Sequence, residues 1–376
     1  MANHATSPSS ASSPAAAPGP AAPRRPWLVA DIGGTHARFG WLEESGPEAG
    51  ERAAVTHLQT LRVADHAGPV AAAQAYLAER AAQAGPAWRA PRAAAWAVAA
   101  AVVDDVVEMT NAGWRLARPE VQRSLGLDAF LLLNDFEALA LSLPGLAPTQ
   151  LRRIGDGAAQ RMLPLGTRAV VGPGTGLGVA GLVAAPAAPP GQTAGAAATR
   201  WLALPGEGGH ATLAAADDVE SALLAEVRRQ HPHVSAERLL SGLGLPGLHQ
   251  AVARMAGAAA PALLAPDAIV AAGIATPGSA GADALCRQTL EHFCALLGGF
   301  AGNVALTLGA RGGVYIGGGI VPRLGTLFEQ SRFRQRFEAK GRLAPYLAAI
   351  PTWLIVDTNA ALAGAATALA QHALSG

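Results

Sequence analysis

Short, continuous apolar runs punctuate this chain, and most of them stop at a glycine-rich or polar turn. Runs without strict alternation read as strands covered on both faces, as in the middle of α/β sheets. The first strand, Trp27–Ala30, enters the turn Asp31-Ile-Gly-Gly-Thr35 and is followed by a second strand from His36. An Ala-rich helical stretch is expected at Val70–Gln83 and a strand at Ala94–Val103. Ala129–Leu133 reads as a strand ending in Asn134-Asp135, with a helix over Phe136–Leu143. Pro144-Gly145 breaks the pattern and is the candidate hinge.

A second strand-rich start follows, with Arg168–Val171, the turn Gly172-Pro-Gly-Thr-Gly-Leu-Gly178, and a strand over Gly178–Val183. A loop of small residues over Ala184–Ala198 separates it from a short strand at Trp201–Leu204. Helices are expected at about Asp218–Arg229 and Asp283–Leu308. Gly313–Ile316 is a strand that enters a third turn, Ile316-Gly-Gly-Gly-Ile-Val-Pro322. Trp353–Val356 is the last strand and Ala360–Leu374 the last helix. Strands alternating with helices predict an α/β fold with mixed or parallel sheets. The similar starts at Trp27 and Arg168 suggest that one sub-fold occurs twice.

Composition narrows the chemistry. The chain has 376 residues, 51% of them hydrophobic, enough for about two domains with a sizeable core. A net charge of +1 gives no electrostatic case for nucleic acid or an anionic membrane. No apolar run is long enough to span a bilayer. Cys286 and Cys294 are too few for a disulfide framework and fit a reducing cytoplasm. Residues 1–26 are rich in Ala, Ser and Pro and are expected to form a disordered tail. Lys340 is the only lysine. It lies far from any glycine loop, which removes both the Walker-A loop and the protein kinase, since each needs a placed lysine.

The three glycine turns carry the functional signal. Glycine lets backbone N–H groups approach an anion, because no Cβ intervenes. Asp31 sits at a strand end where a phosphate-bound magnesium needs an oxygen ligand. Two runs, Gly176–Gly181 and Gly242–Gly247, match the dinucleotide fingerprint, yet the first opens a strand and the second follows the helix-like Ala236–Leu240 rather than a strand. Asn134-Asp135 lies at the carboxyl end of a strand, where α/β sheets bind ligands, although Asp135 also suits a helix N-cap. Glu207 and His210 occupy a Pro-Gly-rich loop with exposed polar side chains. Glu237 reads as the solvated start of a helix.

In order and spacing, Asp31-Ile-Gly-Gly-Thr-His-Ala-Arg38, Met109-Thr-Asn111, Asn134-Asp-Phe-Glu-Ala138, Gly174-Thr-Gly-Leu-Gly-Val179, Leu204-Pro-Gly-Glu-Gly-Gly-His210, Val234-Ser-Ala-Glu-Arg238 and Gly312 to Arg323 resemble the bacterial glucokinases of the non-repressor type. That resemblance implies the two-domain, actin-like/hexokinase (ribonuclease H-like) α/β fold with a cleft. The domains would be 27–144 plus about 357–376, and 145–356. It implies transfer of phosphate from ATP to the 6-hydroxyl of D-glucose, with Mg²⁺, in a cytoplasmic homodimer. Ala30, Asp31, Ile32, Gly33, Gly34 and Thr35 would form the first phosphate loop, with Asp31 reaching Mg²⁺ through water. Gly174, Thr175 and Gly176 would form the second, and Gly317, Gly318 and Gly319 part of the adenosine pocket. Asn134, Asp135, Glu207, His210 and Glu237 match sugar-contacting positions, with Asp135 as catalytic base. A kinase for another hexose and a non-catalytic sugar sensor are the alternatives. An ordinary Asp, with a pKa of about 3.9, is a weak base, so proton transfer is expected late in the reaction.

Overall fold

The computed structural model describes residues 26–43, 54–109, 112–156, 160–185, 199–258 and 263–373. The expected tail at 1–26, save Pro26, lies outside them, as do Thr110, Asn111 and most of the loop expected at 184–198.

Among the described residues the strands are β1 (Trp27–Ile32), β2 (His36–Leu42), β3 (Thr56–Arg62), β4 (Ala93–Val98), β5 (Val106–Met109), β6 (Trp114–Ala117), β7 (Ala129–Asn134), β8 (Leu151–Ile154), β9 (Arg168–Pro173), β10 (Leu177–Ala185), β11 (Arg200–Gly206), β12 (Val314–Ile316) and β13 (Thr352–Ile355). The helices are α1 (Pro69–Ala84), α2 (Arg118–Leu125), α3 (Asp135–Ser142), α4 (Asp218–Arg228), α5 (Leu245–Met255), α6 (Pro266–Ile274), α7 (Ala284–Leu308), α8 (Val321–Leu324), α9 (Thr326–Glu329), α10 (Phe333–Glu338), α11 (Ala344–Ala348) and α12 (Ala360–Ala373).

One sheet has the order β3-β2-β1-β4-β7, and the other runs β11-β10-β9-β12-β13 with β8 added at the edge. The same path is followed twice. An antiparallel meander comes first, and two strands parallel to its first member follow. The repeat suggested by the two strand–turn–strand starts is therefore present in the topology, and it is the ribonuclease H-like arrangement.

Three apolar layers hold the strands. Leu28, Ala30 and Ile32 of β1 pack with Tyr76 of α1 and Val121 of α2 on the outer face of the first sheet. Val29 points the other way, into a layer shared with Val170, Leu182 and Ile355 of the second sheet and with α3 and α12. The outer face of the second sheet packs on α4 to α11 around Phe293, Phe333 and Phe337. Period-2 alternation puts Asp31 on the same face as Val29, toward the layer between the sheets.

Helices α3 and α12 fill that middle layer and approach closely. A Cβ at Gly364 of α12 would lie 1.6 Å from the Ala138 carbonyl of α3, so only glycine permits this crossing. The chain passes between the sheets at the 3₁₀ turn Leu143–Gly145, which holds Pro144-Gly145, and again after β13. The two passages are tied together, since the Val356 amide donates to the Gln150 carbonyl at 2.9 Å and the Gln150 side chain donates to Asp357.

Two local readings change. The strand expected to reach Val103 stops at Val98, where β1 and β7 also end. The Ala99 amide still donates to Ile32, but Ala100 turns back onto the Val98 carbonyl, and an exposed loop runs over 101–105. Residues 236–240 form a turn rather than a helix, because the segment leaves to pair with the second glycine turn. The expectation missed β3, β5, β6 and β8, which are short or lie at an edge and so carry little apolar signal.

Candidate active site

Three parallel strands, β1, β4 and β7, end side by side, with Ile32 opposite Val98 and Val98 opposite Asn134. The chain leaves β7 directly into α3, so Asn134 and Asp135 stand at the strand's carboxyl end and the helix's amino end together. Asn134, not Asp135, is the N-cap. Its Oδ1 accepts from the Phe136 amide at 2.9 Å and the Glu137 amide at 3.3 Å. Glu137 returns the bond to the Asn134 amide, closing a capping box. Asn134 Nδ2 donates to the Ala100 carbonyl at 3.1 Å and so tethers the loop after β4. The Asn-x-x-Glu spacing was legible in the sequence, yet no role was drawn from it.

Asp135 thus begins the helix. Its Oδ1 accepts from the Phe136 amide at 3.0 Å. Burial pushes its pKa up to about 7, the negative charge of Asp31 pushes the same way, and the helix-end N–H bonds only partly offset both. The expected weak base with an ordinary pKa is corrected. This carboxylate is poised near neutral pH because it is desolvated beside a second carboxylate.

Asp31 is likewise raised, first by burial, while Arg38 lowers it. Arg38 Nη1 stands 3.1 Å from Asp31 Oδ2 across the β1–β2 pair. Arg38 therefore offsets the charge of Asp31, a role the sequence reading did not assign. The turn at 33–35 is shaped by the Gly33 amide donating to His36 and the Val63 amide donating to Thr35. Thr35 is exposed and Gly33 and Gly34 half-buried, whereas Ala30 and Ile32 are buried within β1 and offer only backbone.

The second and third turns meet the same helix. A Cβ at Gly178 would fall 1.9 Å from the Phe136 ring, and one at Gly172 would fall 2.4 Å from it. A Cβ at Gly317 would meet Leu139 at 2.8 Å. Phe136, next to Asp135, therefore seats on the second turn, and Leu139, one helical turn further along α3, on the third. Gly174 and Gly176 are half-buried and Thr175 is exposed. The three glycines of the third turn differ. Gly317 is buried and its amide donates to Val171, Gly318 has φ +78° against the Pro173 carbonyl, and Gly319 is exposed with open space around it.

Glu207, His210 and Glu237 come together beside the second turn. His210 Nε2 lies 3.8 Å from Glu207 and its Nδ1 3.9 Å from Glu237. The Glu237 and Ala236 amides donate to the Gly209 and Ala211 carbonyls, which stitches the two loops together. Glu237 is no solvated helix start, because its Oε2 accepts from the Leu177 amide at 2.8 Å. Two polar clusters, one around Asp31, Asn134 and Asp135 and one around Glu207, His210 and Glu237, thus flank the turn at 172–178. No group of three or more His, Cys, Asp and Glu among the described residues forms a metal cage.

A sequence model of the glucokinase family matches residues 28–372. The chain is 46% identical to a glucokinase of Paramagnetospirillum magneticum over 90% of this chain and 96% of that one. It is 45% identical to a glucokinase of Aromatoleum aromaticum over 93% and 96%. A glucokinase crystal structure from an Antarctic psychrotroph superposes with a TM-score of 0.75 at 36% identity, covering 92% of this chain and 98% of that one. The expected two-domain, actin-like α/β fold is the fold of this chain. Family match, identity over nearly the whole length, and fold point the same way: this chain belongs to the glucokinase family.

Proposed function

We propose that this protein transfers the terminal phosphoryl group of ATP to the 6-hydroxyl of D-glucose. The observation that carries the reading is Asp135. A carboxylate raised to about pH 7 stands at the carboxyl end of β7, and the next residue packs against the second glycine turn.

In this reading Asp135 accepts the proton of the attacking hydroxyl. A base with a pKa near the working pH combines a useful ionised fraction with driving force for the transfer. Asn134, Glu207, His210 and Glu237 hold the other hydroxyls, and such a polar set rejects analogues whose missing hydroxyl leaves a site group unpaired. The turns at 33–35 and 174–176 hold the phosphates, while Gly318 and Gly319 border the adenosine. Closure of 27–144 plus 357–376 upon 145–356, about Leu143–Gly145 and the passage after β13, excludes water as the rival nucleophile.

The donor set fits Mg²⁺. The ion takes one or two carboxylates and completes its shell with phosphates and water, and Asp31 lies close enough to Asp135 for its charge to raise the Asp135 pKa, with Arg38 as the cation on Asp31. Asp31 would hold the ion through water. There it would neutralise charge developing on the transferred phosphoryl group.

The buried free thiols Cys286 and Cys294, whose pKa values burial pushes up to about 12, suit a reducing cytoplasm. The homodimer implied by the resemblance belongs to the same proposal and is read by sedimentation. A panel of hexoses with ATP and Mg²⁺, followed as ADP release, tests the activity. Glucose is expected to give release and Asp135→Ala to abolish it while the variant stays folded. Release with another hexose and none with glucose overturns the substrate, and near-wild-type turnover of Asp135→Ala overturns the base.

A further inference from the structure

The second glycine turn is held from behind, peptide by peptide. The Gly174 carbonyl accepts from the Gly242 amide at 2.8 Å, and the Thr175 carbonyl from the Leu243 amide at 3.3 Å. In a trans peptide the carbonyl of one residue and the N–H of the next point opposite ways. Fixing those two carbonyls therefore turns the Thr175 and Gly176 N–H groups to the other side, as a nest for an anion requires. The Gly176 carbonyl accepts from Gly174 at 2.9 Å, which sends the Leu177 N–H away from it and onto Glu237 Oε2. The carboxylate is thus the partner that fixes the third peptide plane. Gly176 gains a second meaning, since a Cβ there would lie 2.4 Å from Glu237 Oε2. Its bare Cα leaves room for the carboxylate as well as for a phosphate.

The segment carrying Glu237 is itself anchored. Buried Ser241 accepts from the Gly244 amide and donates to the Glu237 carbonyl at 2.8 Å. The segment's other edge holds the loop of Glu207 and His210, through the Glu237 and Ala236 amides. One carboxylate thus places one oxygen on the phosphate-side turn and the other toward the sugar-side imidazole.

We propose that Glu237 is a positioning residue for the nucleotide as well as a sugar contact, setting the geometry of the 174–177 turn for phosphate. The inference rests on the phosphoryl-transfer reading above for the identity of the anion. A sugar contact alone leaves nucleotide binding by the sugar-free protein untouched, whereas a positioning role does not.

The test is calorimetric titration of the sugar-free, full-length protein with MgATP. Glu237→Ala removes the acceptor of a charge-assisted bond and is expected to weaken binding roughly tenfold. Glu237→Gln keeps an oxygen for the Leu177 N–H and is expected to stay within about twofold, while its KM for glucose rises. Wild-type nucleotide affinity in a folded Glu237→Ala overturns the proposal, and so does a loss in Glu237→Gln as large as that in Glu237→Ala. If the alanine variant does not fold, amide exchange at Leu177 in the ligand-free wild type decides. Protection supports the anchor, and exchange as fast as at exposed Thr175 overturns it. Nucleotide binding that depends on residue 237 in a protein inert toward glucose would sink the glucose reading and leave this inference standing. Glucose turnover with nucleotide affinity indifferent to residue 237 would do the reverse.

Discussion

Replacing Asp135 by Asn should make the ligand-free protein more stable and nearly inactive, with a pH signature fixed in advance. The folded pKa lies near 7 against an ordinary 3.8, a rise of about 3 pH units. At 1.36 kcal/mol per unit, the ionised side chain opposes folding by about 4 kcal/mol. The sign follows from proton counting. Below about pH 4 both states hold the proton and the aspartate carries no penalty. Between about pH 4 and 7 the unfolded chain ionises while the folded one does not, so wild-type stability falls. Above about pH 7 both states are ionised and the loss is complete. The amide of Asn cannot ionise, and it keeps the acceptor for the Phe136 amide that now binds Oδ1 at 3.0 Å. Urea unfolding of both proteins from pH 4.5 to 8.5 reads Asp135 together with its coupling to Asp31, because the other titrating groups are shared. The advantage of Asp135→Asn should grow across the acid range and level off above pH 7, while turnover falls on the order of 10²–10⁴-fold. An advantage that does not change with pH, or a variant less stable than wild type at pH 8, refutes the claim that burial and Asp31 raise this carboxyl.

Other substitutions probe the frame. Gly178→Ala drives a Cβ to within 1.9 Å of the Phe136 ring and should cost about 1–3 kcal/mol in urea unfolding and lower kcat, because the ring that moves adjoins Asp135. Arg336→Leu removes the cation that is bonded at 2.6 Å to buried Glu220 of α4 and also lies 3.3 Å from Asp217. A loss of about 3–5 kcal/mol is expected, and much of it should return in the double variant with Glu220→Leu. No recovery in the double variant would show that the pair is more than a charge balance.

The strands and helices that carry the site were legible because each is an unbroken apolar run closed by a turn. β1, β7, β9 and α3 lie within a residue or two of their expected bounds, and Asp31, Asn134 and Asp135 could be placed at strand ends from local pattern alone. The repeated strand–turn–strand start likewise foreshadowed the repeated topology. What a linear pattern cannot carry is distance between segments. Glu237 looked like a solvated helix start because its partner, the Leu177 amide, lies 60 residues away. The ordinary pKa assigned to Asp135 failed for the same reason, since desolvation and the field of Asp31 exist only once β1, β4 and β7 lie side by side. Gly178 reads in sequence as a turn residue, and only the fold shows that the Phe136 ring occupies the space its side chain would need. Local sequence determines where chain direction and polarity change, because those follow from backbone propensity and burial within a few residues. Electrostatic environment and close packing are sums over neighbours drawn from the whole chain, so the tertiary structure alone decides them.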